Sequence, residues 1–232
     1  MKGAEEKIEN LYKLCRMGIF AKGGKFSGLA ADSWDPKANS VRGLDQLIKH
    51  RELGEDSVVL ELGSFAGVSS ELFALRCEKV YCVDPWCMVF DDADSPEVAE
   101  LYAKHPFPLP SYERQKWSED RFDERCKLYD NIIKIKNFSF GAVDSIEDES
   151  IDLLYIDSNH DLEAVRKDIL DFYPKIKMGG ILAGHDYSWG GVRRCCIYLQ
   201  DQLGQFKKYP DDSWSFPPKK RRQVQIPEGL KE

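Results

Sequence analysis

The chain has 232 residues, 42% hydrophobic and 31% charged, with a formal net charge of −7. That length suits one domain with elaborations and a sizeable core, and the acidic balance argues against nucleic acid as a partner. Seven cysteines without a CxxC pair point to free thiols in a reducing compartment, the cytoplasm by default, and no apolar run approaches a membrane span.

The N-terminal stretch "MKGAEEKIENLYKLC" reads as a charged amphipathic helix over 4–17 rather than a leader, and "GIFAKGGKFSGLAADSWDPKANS" as a loop. "VRGLDQLIKHREL" carries Leu44, Leu47 and Ile48 at helical spacing and is closed by Gly54. "SVVLELG" is a first strand, apolar enough to be buried on both faces. After Gly67 "VSSELFALRC" is a helix, and "KVYCVD" is a second buried strand.

Residues 87–127 break the rhythm. They are acidic and aromatic, with Phe90, Tyr102, His105, Phe107, Tyr112 and Trp117, and read as a lid-like insertion. "NIIKIKNFS" and "IDLLYID" are the third and fourth strands. "DLEAVRKDILDFYPKIK" is a helix that stops at Met178-Gly179-Gly180. "ILAGHDY" is a fifth strand, "VRRCCIYLQDQLG" a helix and "SWSF" a short late strand. Residues 217–232, with the basic run "KKRR", are expected to form a flexible tail. The alternation implies one α/β domain: a doubly wound, mainly parallel, Rossmann-like sheet with helices on both faces. Residues 1–41 would form a helical extension. Sheets of this kind often pair through lids or N-terminal helices, which leaves a homo-oligomer open.

Ligands of such sheets bind at the carboxyl ends of the strands, where the topology reverses. The turn after the first strand is Glu61-Leu62-Gly63-Ser64-Phe65-Ala66-Gly67, and Asp84 ends the second strand. Two bare glycines let a ligand approach the backbone, and Asp84 is placed to accept both hydroxyls of a ribose. Phe65 stands where GxGxxG has its second glycine, and Glu61 is a poor neighbour for pyrophosphate. A nucleoside carrying positive charge, such as a sulfonium, fits better. The same glycines could instead serve only tight strand-to-helix packing.

"ELGSFAG" with Asp84 beyond it resembles the cofactor signature of class I S-adenosylmethionine-dependent methyltransferases. The resemblance implies that Glu61, Gly63, Ser64, Phe65 and Gly67 surround the methionine portion. It implies that Asp84, with Pro85 and Trp86 beside it, holds the ribose, and that Ser139 and Phe140 flank the adenine.

A second group of polar residues closes the fourth and fifth strands: Asp157 in "YIDSNHD", and His185 and Asp186 in "AGHDY". Carboxylates gathered around a cleft need protons or a cation, and a hard ion such as Mg²⁺ suits them. The pairing resembles the metal-dependent O-methyltransferases, both the catechol type and those acting on antibiotic sugars. That resemblance implies a divalent ion on Asp157, His185 and Asp186 that binds the hydroxyls of a small-molecule acceptor. Three residues beyond its first metal Asp the catechol type has a lysine as general base; here His160 stands at that place, with Asp157 as its catalytic neighbour. His160 could instead belong to the N-cap of the next helix, and His185 and Asp186 to a hydrogen-bonded strand end. A nicotinamide-dependent oxidoreductase and a non-catalytic nucleoside-binding protein are the alternatives on the same sheet.

Overall fold

The computed structural model describes residues 2–16, 41–86 and 112–229. The expected loop after the first helix, residues 87–111 of the insertion (with Phe90, Tyr102, His105 and Phe107) and the last three residues lie outside them. Among the described residues, no helix is long and apolar enough to cross a membrane.

The elements in chain order are α1 (Lys2–Arg16), α2 (Arg42–His50), β1 (Val58–Leu62), α3 (Val68–Ala74), β2 (Lys79–Asp84) and α4 (Tyr112–Cys126). There follow β3 (Ile132–Lys136), a single turn α5 (Ser139–Ala142), β4 (Ile151–Ile156), α6 (Leu162–Phe172), β5 (Ile176–Gly184), α7 (Gly190–Leu203), β6 (Lys207–Lys208) and β7 (Trp214–Ser215). Among the described residues seven strands form one sheet, in the order β3-β2-β1-β4-β5-β7-β6. Its pairings are parallel from β3 to β5, while β7 runs antiparallel to both neighbours.

From β1 the chain winds outward to β3, then returns to the other side of β1 for β4 and β5. The topological switch point, and the crevice that comes with it, therefore lies between β1 and β4. The alternation of side chains along each strand divides the core. Leu60, Leu62, Leu154, Ile156 and Leu182 pack under α6 and α7, whereas Val59, Cys82, Leu153, Tyr155 and Ala183 pack under α1, α2 and α3. Glu61 shares the parity of Val59 and so points into that second layer.

α2 is tied down from far along the chain. Asp211, in the β6–β7 turn, accepts the Leu44 N–H at 2.7 Å, and Arg51 donates to the hydroxyl and carbonyl of Ser215. Arg76 then joins α1 and α2 through Glu5 at 2.6 Å and the buried Asp45 at 2.9 Å.

Two expectations are corrected. β5 begins at Ile176, so the Met178-Gly179-Gly180 stretch expected to stop a helix lies within the strand, with a bulge in its pairing to β4 between Ile151 and Leu153; α6 already ends at Phe172. Residues 217–229 also pack on the protein: Lys219 is buried and donates to the carbonyls of Tyr173 and Ile176 at 3.0 and 2.6 Å, and Val224 and Ile226 join the core. Buried carbonyls need donors, and this lysine supplies them instead of belonging to a solvated basic run.

Candidate active site at the switch point

The β1 turn and the end of β4 are in direct contact. Gly63 has φ +89, its N–H donates to Val83 O, and a Cβ on it would lie 2.1 Å from the Asp157 carbonyl oxygen. The Asp157 N–H in turn donates to Leu62 O at 2.8 Å. The first glycine is thus required by strand packing, and that packing sets Asp157 beside the turn.

Asp84 is half-buried and braces the bend. Its Oδ2 accepts the Phe65 N–H at 2.9 Å and its Oδ1 the Trp86 N–H at 2.8 Å. Burial pushes its carboxyl up to about 6, against the lowering effect of those two amides. Each oxygen keeps an acceptor lone pair. Phe65 adopts φ 45, a left-handed conformation costly for a residue with a Cβ, and is partly exposed, with its ring 5.9 Å from that of Trp117 on α4. Ser64 Oγ is buried in the turn and faces the Glu61 carboxyl and the Cys82 thiol.

Several expected cofactor residues have other surroundings. Glu61 is fully buried beneath the turn, where its Oε2 accepts the Ser70 hydroxyl and the Ser69 and Ser64 hydroxyls also meet its carboxyl. Desolvation raises its carboxyl to about 7, so it braces the start of α3 and does not face a cationic ligand. Trp86 is also fully buried. Its indole N–H donates to Phe65 O at 2.7 Å, its ring meets Phe122 at 4.6 Å, and Lys134 lies over it at 4.7 Å. It shapes the bend from behind, because φ 43 at this residue turns it away from the crevice. Pro85 merely joins Asp84 to it. Gly67 starts α3 and faces Phe122 of α4, the described part of the expected lid.

At the end of β3, Ser139 hydrogen-bonds the buried Asp168 on α6, which also accepts from Ser158 at 2.6 Å; burial pushes that carboxyl to about 6. Ser139 therefore does not present its hydroxyl to a base. Phe140 is exposed and stacks on Phe138 at 5.4 Å and 7°. The pair follows Asn137, whose N–H donates to Asp84 O, so an aromatic surface adjoins the Asp84 corner. Nothing in the sequence distinguishes Phe138 from the core aromatics.

Across the switch point the second group assembles. One ligand atom each from Asp157, His160 and Asp186 lies within 4.8 Å of the others. His160 Nε2 is 2.7 Å from Asp186 Oδ2 and 3.9 Å from Asp157 Oδ1. It is buried and aligned with neither as a hydrogen-bond donor. His185 Nδ1 stands 3.4 Å from Asp186 Oδ1 and 3.8 Å from Asp157 Oδ1, outside that closed set of three.

The backbone around these residues serves the helix cap and the strand end. Asp161 caps α6 by accepting the Glu163 N–H, and Asn159 accepts the Asp161 N–H; His160, between them, turns its ring to the carboxylates instead. The His185 backbone is the strand end, donating to Ile156 O and accepting from the Trp214 indole. Asp186 adopts φ 55, a strained conformation of the kind that gathers at functional sites.

Burial opposes charge on both imidazoles, but the facing carboxylates outweigh it and raise His160 to about 9 and His185 to about 10. Desolvation raises the Asp157 carboxyl; Asp186 is held low because His160 and His185 more than offset its burial. The cluster thus gathers positive charge against two carboxylates, charge that a divalent cation could supply. The residues present fit such an ion: two carboxylates and an imidazole nitrogen aimed between them with no other partner.

The model of a family described as "Methyltransferase domain" matches residues 60–187, more than half of the chain. No curated protein matches the sequence. Among solved structures, the O-methyltransferase NovP is similar at a TM-score of 0.59, with 12% identity over 93% of this chain and 99% of that one. An rRNA methylase from Streptococcus thermophilus gives a TM-score of 0.51, with 12% identity over 76% of this chain and 96% of its own. A Streptococcus mutans protein described as a methyltransferase and solved with S-adenosylhomocysteine gives 0.50, with 11% identity over 76% of this chain and 98% of its own. At such identities the likeness is one of fold.

Proposed function

The chain belongs to the methyltransferase-domain family, and on that premise we propose that it is an S-adenosylmethionine-dependent O-methyltransferase acting on a hydroxyl of a small molecule, with a divalent metal ion assisting. The family sets the nicotinamide-dependent alternative aside. The observation that carries the oxygen acceptor is the Asp157, His160 and Asp186 cluster, its ligand atoms within 4.8 Å of one another at the switch point.

The residues that would hold the donor are those of the β1 bend and the Asp84 corner. Asp84 offers its free lone pairs to ribose hydroxyls while its amide bonds fix the bend. Phe140, stacked on Phe138, offers an exposed ring for a base. S-adenosylmethionine supplies the methyl group, and holding it in line with the acceptor oxygen accounts for much of the rate.

Asp157, His160 and Asp186 would hold the metal ion, with His185 at the rim; a divalent ion lowers the pKa of a hydroxyl bound to it. Gly63 couples the two halves, because the bend that would seat the donor touches the residue that would help hold the ion. The net charge of −7 supports an acceptor other than nucleic acid. The free thiols of Cys77, Cys82, Cys126, Cys195 and Cys196 support a cytoplasmic setting.

The test is transfer of a labelled methyl group from S-adenosylmethionine to a panel of sugars, catechols and amines, with and without a chelator. Chelator-sensitive labelling of hydroxyl acceptors is expected. Labelling of amines alone, indifferent to chelator, would overturn the oxygen assignment.

A further inference from the structure

His160 occupies the position at which the resemblance implies a general base, but its geometry suits another task. A base must direct a free nitrogen at the acceptor proton. The Nε2 of His160 is instead buried among carboxylate oxygens, 2.7 Å from Asp186 and 3.9 Å from Asp157, with its N–H in line with neither. A nitrogen close to two carboxylates yet aligned with neither points at the space between them, as a metal ligand does.

The ring is also held in place. The Trp189 indole, more than half exposed itself, stacks on it at 5.1 Å and 22°. Gly191, in the first turn of α7, comes so close that a Cβ there would lie 2.3 Å from the His160 carbonyl oxygen. On the other side, Asn159 and Asp161 fix the loop through their own hydrogen bonds.

We infer that His160 is a metal ligand rather than the general base, and that its imidazole makes the site select a first-row transition ion such as Mn²⁺ or Co²⁺ over Mg²⁺. The inference rests on the metal-assisted reading above and deepens it. Oxygen-only sites suit Mg²⁺, whereas imidazole nitrogen favours the transition series. Here the set is two carboxylates and one imidazole, with the second imidazole of His185 3.4 Å from Asp186. Trp189 acts as a positioning residue, keeping Nε2 aimed inward.

The test uses the full chain, stripped of metal by chelator and titrated separately with the chlorides of Co²⁺, Mn²⁺ and Mg²⁺ alone, by calorimetry and, for Co²⁺, by visible absorption. Wild type should bind Co²⁺ and Mn²⁺ at least about tenfold more tightly than Mg²⁺, and His160→Ala should weaken Co²⁺ by roughly 10–100-fold and shift its visible band. His160→Asp restores an all-oxygen set and should move the preference back toward Mg²⁺. Binding of S-adenosylhomocysteine, measured on each variant, should stay at the wild-type level and shows that the variants are folded. Equal or tighter Mg²⁺ binding by wild type, or a Co²⁺ band untouched by His160→Ala, would overturn the inference while leaving the methyl-donor site standing. Loss of S-adenosylhomocysteine binding in wild type itself would strike the methyltransferase reading instead.

Discussion

The Phe65 amide donates to Asp84 Oδ2 at 2.9 Å, which joins the bend after the first strand to the acid at the tip of the second. Together with the Trp86 amide on the other oxygen, this makes Asp84 both a brace of the bend and a candidate ribose acceptor. Asp84→Ala removes both roles, leaves two N–H groups without their acceptor, and should weaken S-adenosylhomocysteine by more than about tenfold, or 1.4 kcal/mol. Asp84→Asn keeps one good acceptor oxygen and should fall between. The readout is the dissociation constant by calorimetry, with thermal unfolding as the control for folding.

Asp157→Ala and Asp186→Ala each remove a carboxylate from the cluster without touching the bend-to-Asp84 hydrogen bonds. Methyl transfer to hydroxyl acceptors should fall below detection while the donor's dissociation constant changes by less than about threefold, under 0.7 kcal/mol. Parallel turnover and calorimetric measurements separate the two effects.

Gly63 sits at φ +89 with the Asp157 carbonyl where a side chain would go. Gly63→Ala should cost about 1–2 kcal/mol from the left-handed backbone alone, and more from the clash. Displacing Asp157 should also weaken metal binding, although residue 63 is no ligand. Chemical denaturation and a Mn²⁺ titration of the same variant check both.

Glu61 predicts a pH dependence. Burial raises its carboxyl from an ordinary 4.5 to about 7, so in the folded chain the proton is held more tightly than in the unfolded one. The resulting destabilisation is absent below the unfolded value, grows through the interval between the two, and is complete above about 7. Glu61→Gln keeps a partner for Ser70 and carries no charge. Its melting temperature should match wild type below about pH 4.5, exceed it increasingly up to about pH 7 and keep a constant margin at higher pH, measured by thermal scans in chelator-treated protein.

Much of this was legible in the sequence. The apolar runs of β1, β2 and β4 are long enough to declare buried parallel strands, and Asp84, Asp157, His185 and Asp186 stand at strand ends where a doubly wound sheet gathers its ligands. Other features depended on contacts no local pattern carries. Trp86 stands two residues after Asp84 and reads as a crevice aromatic, yet a left-handed backbone drives its ring under the bend against Phe122. Glu61 reads as facing the ligand, but strand parity sends it to Ser70. Lys219 stands at the head of a basic run that resembles a solvated tail, and only the distant Tyr173 and Ile176 carbonyls explain its burial. The two-residue strands β6 and β7 are too short to show any period, and the aim of His160 depends on Trp189, 29 residues further along the chain.

The most direct measurement is a calorimetric titration of the purified chain with S-adenosylhomocysteine, with NADH as the comparison. Saturable one-to-one binding of the thioether nucleoside, weakened by Asp84→Ala and absent for NADH, is the expected result. No heat with the thioether nucleoside from folded protein would contradict a methyl-donor site on the β1 bend.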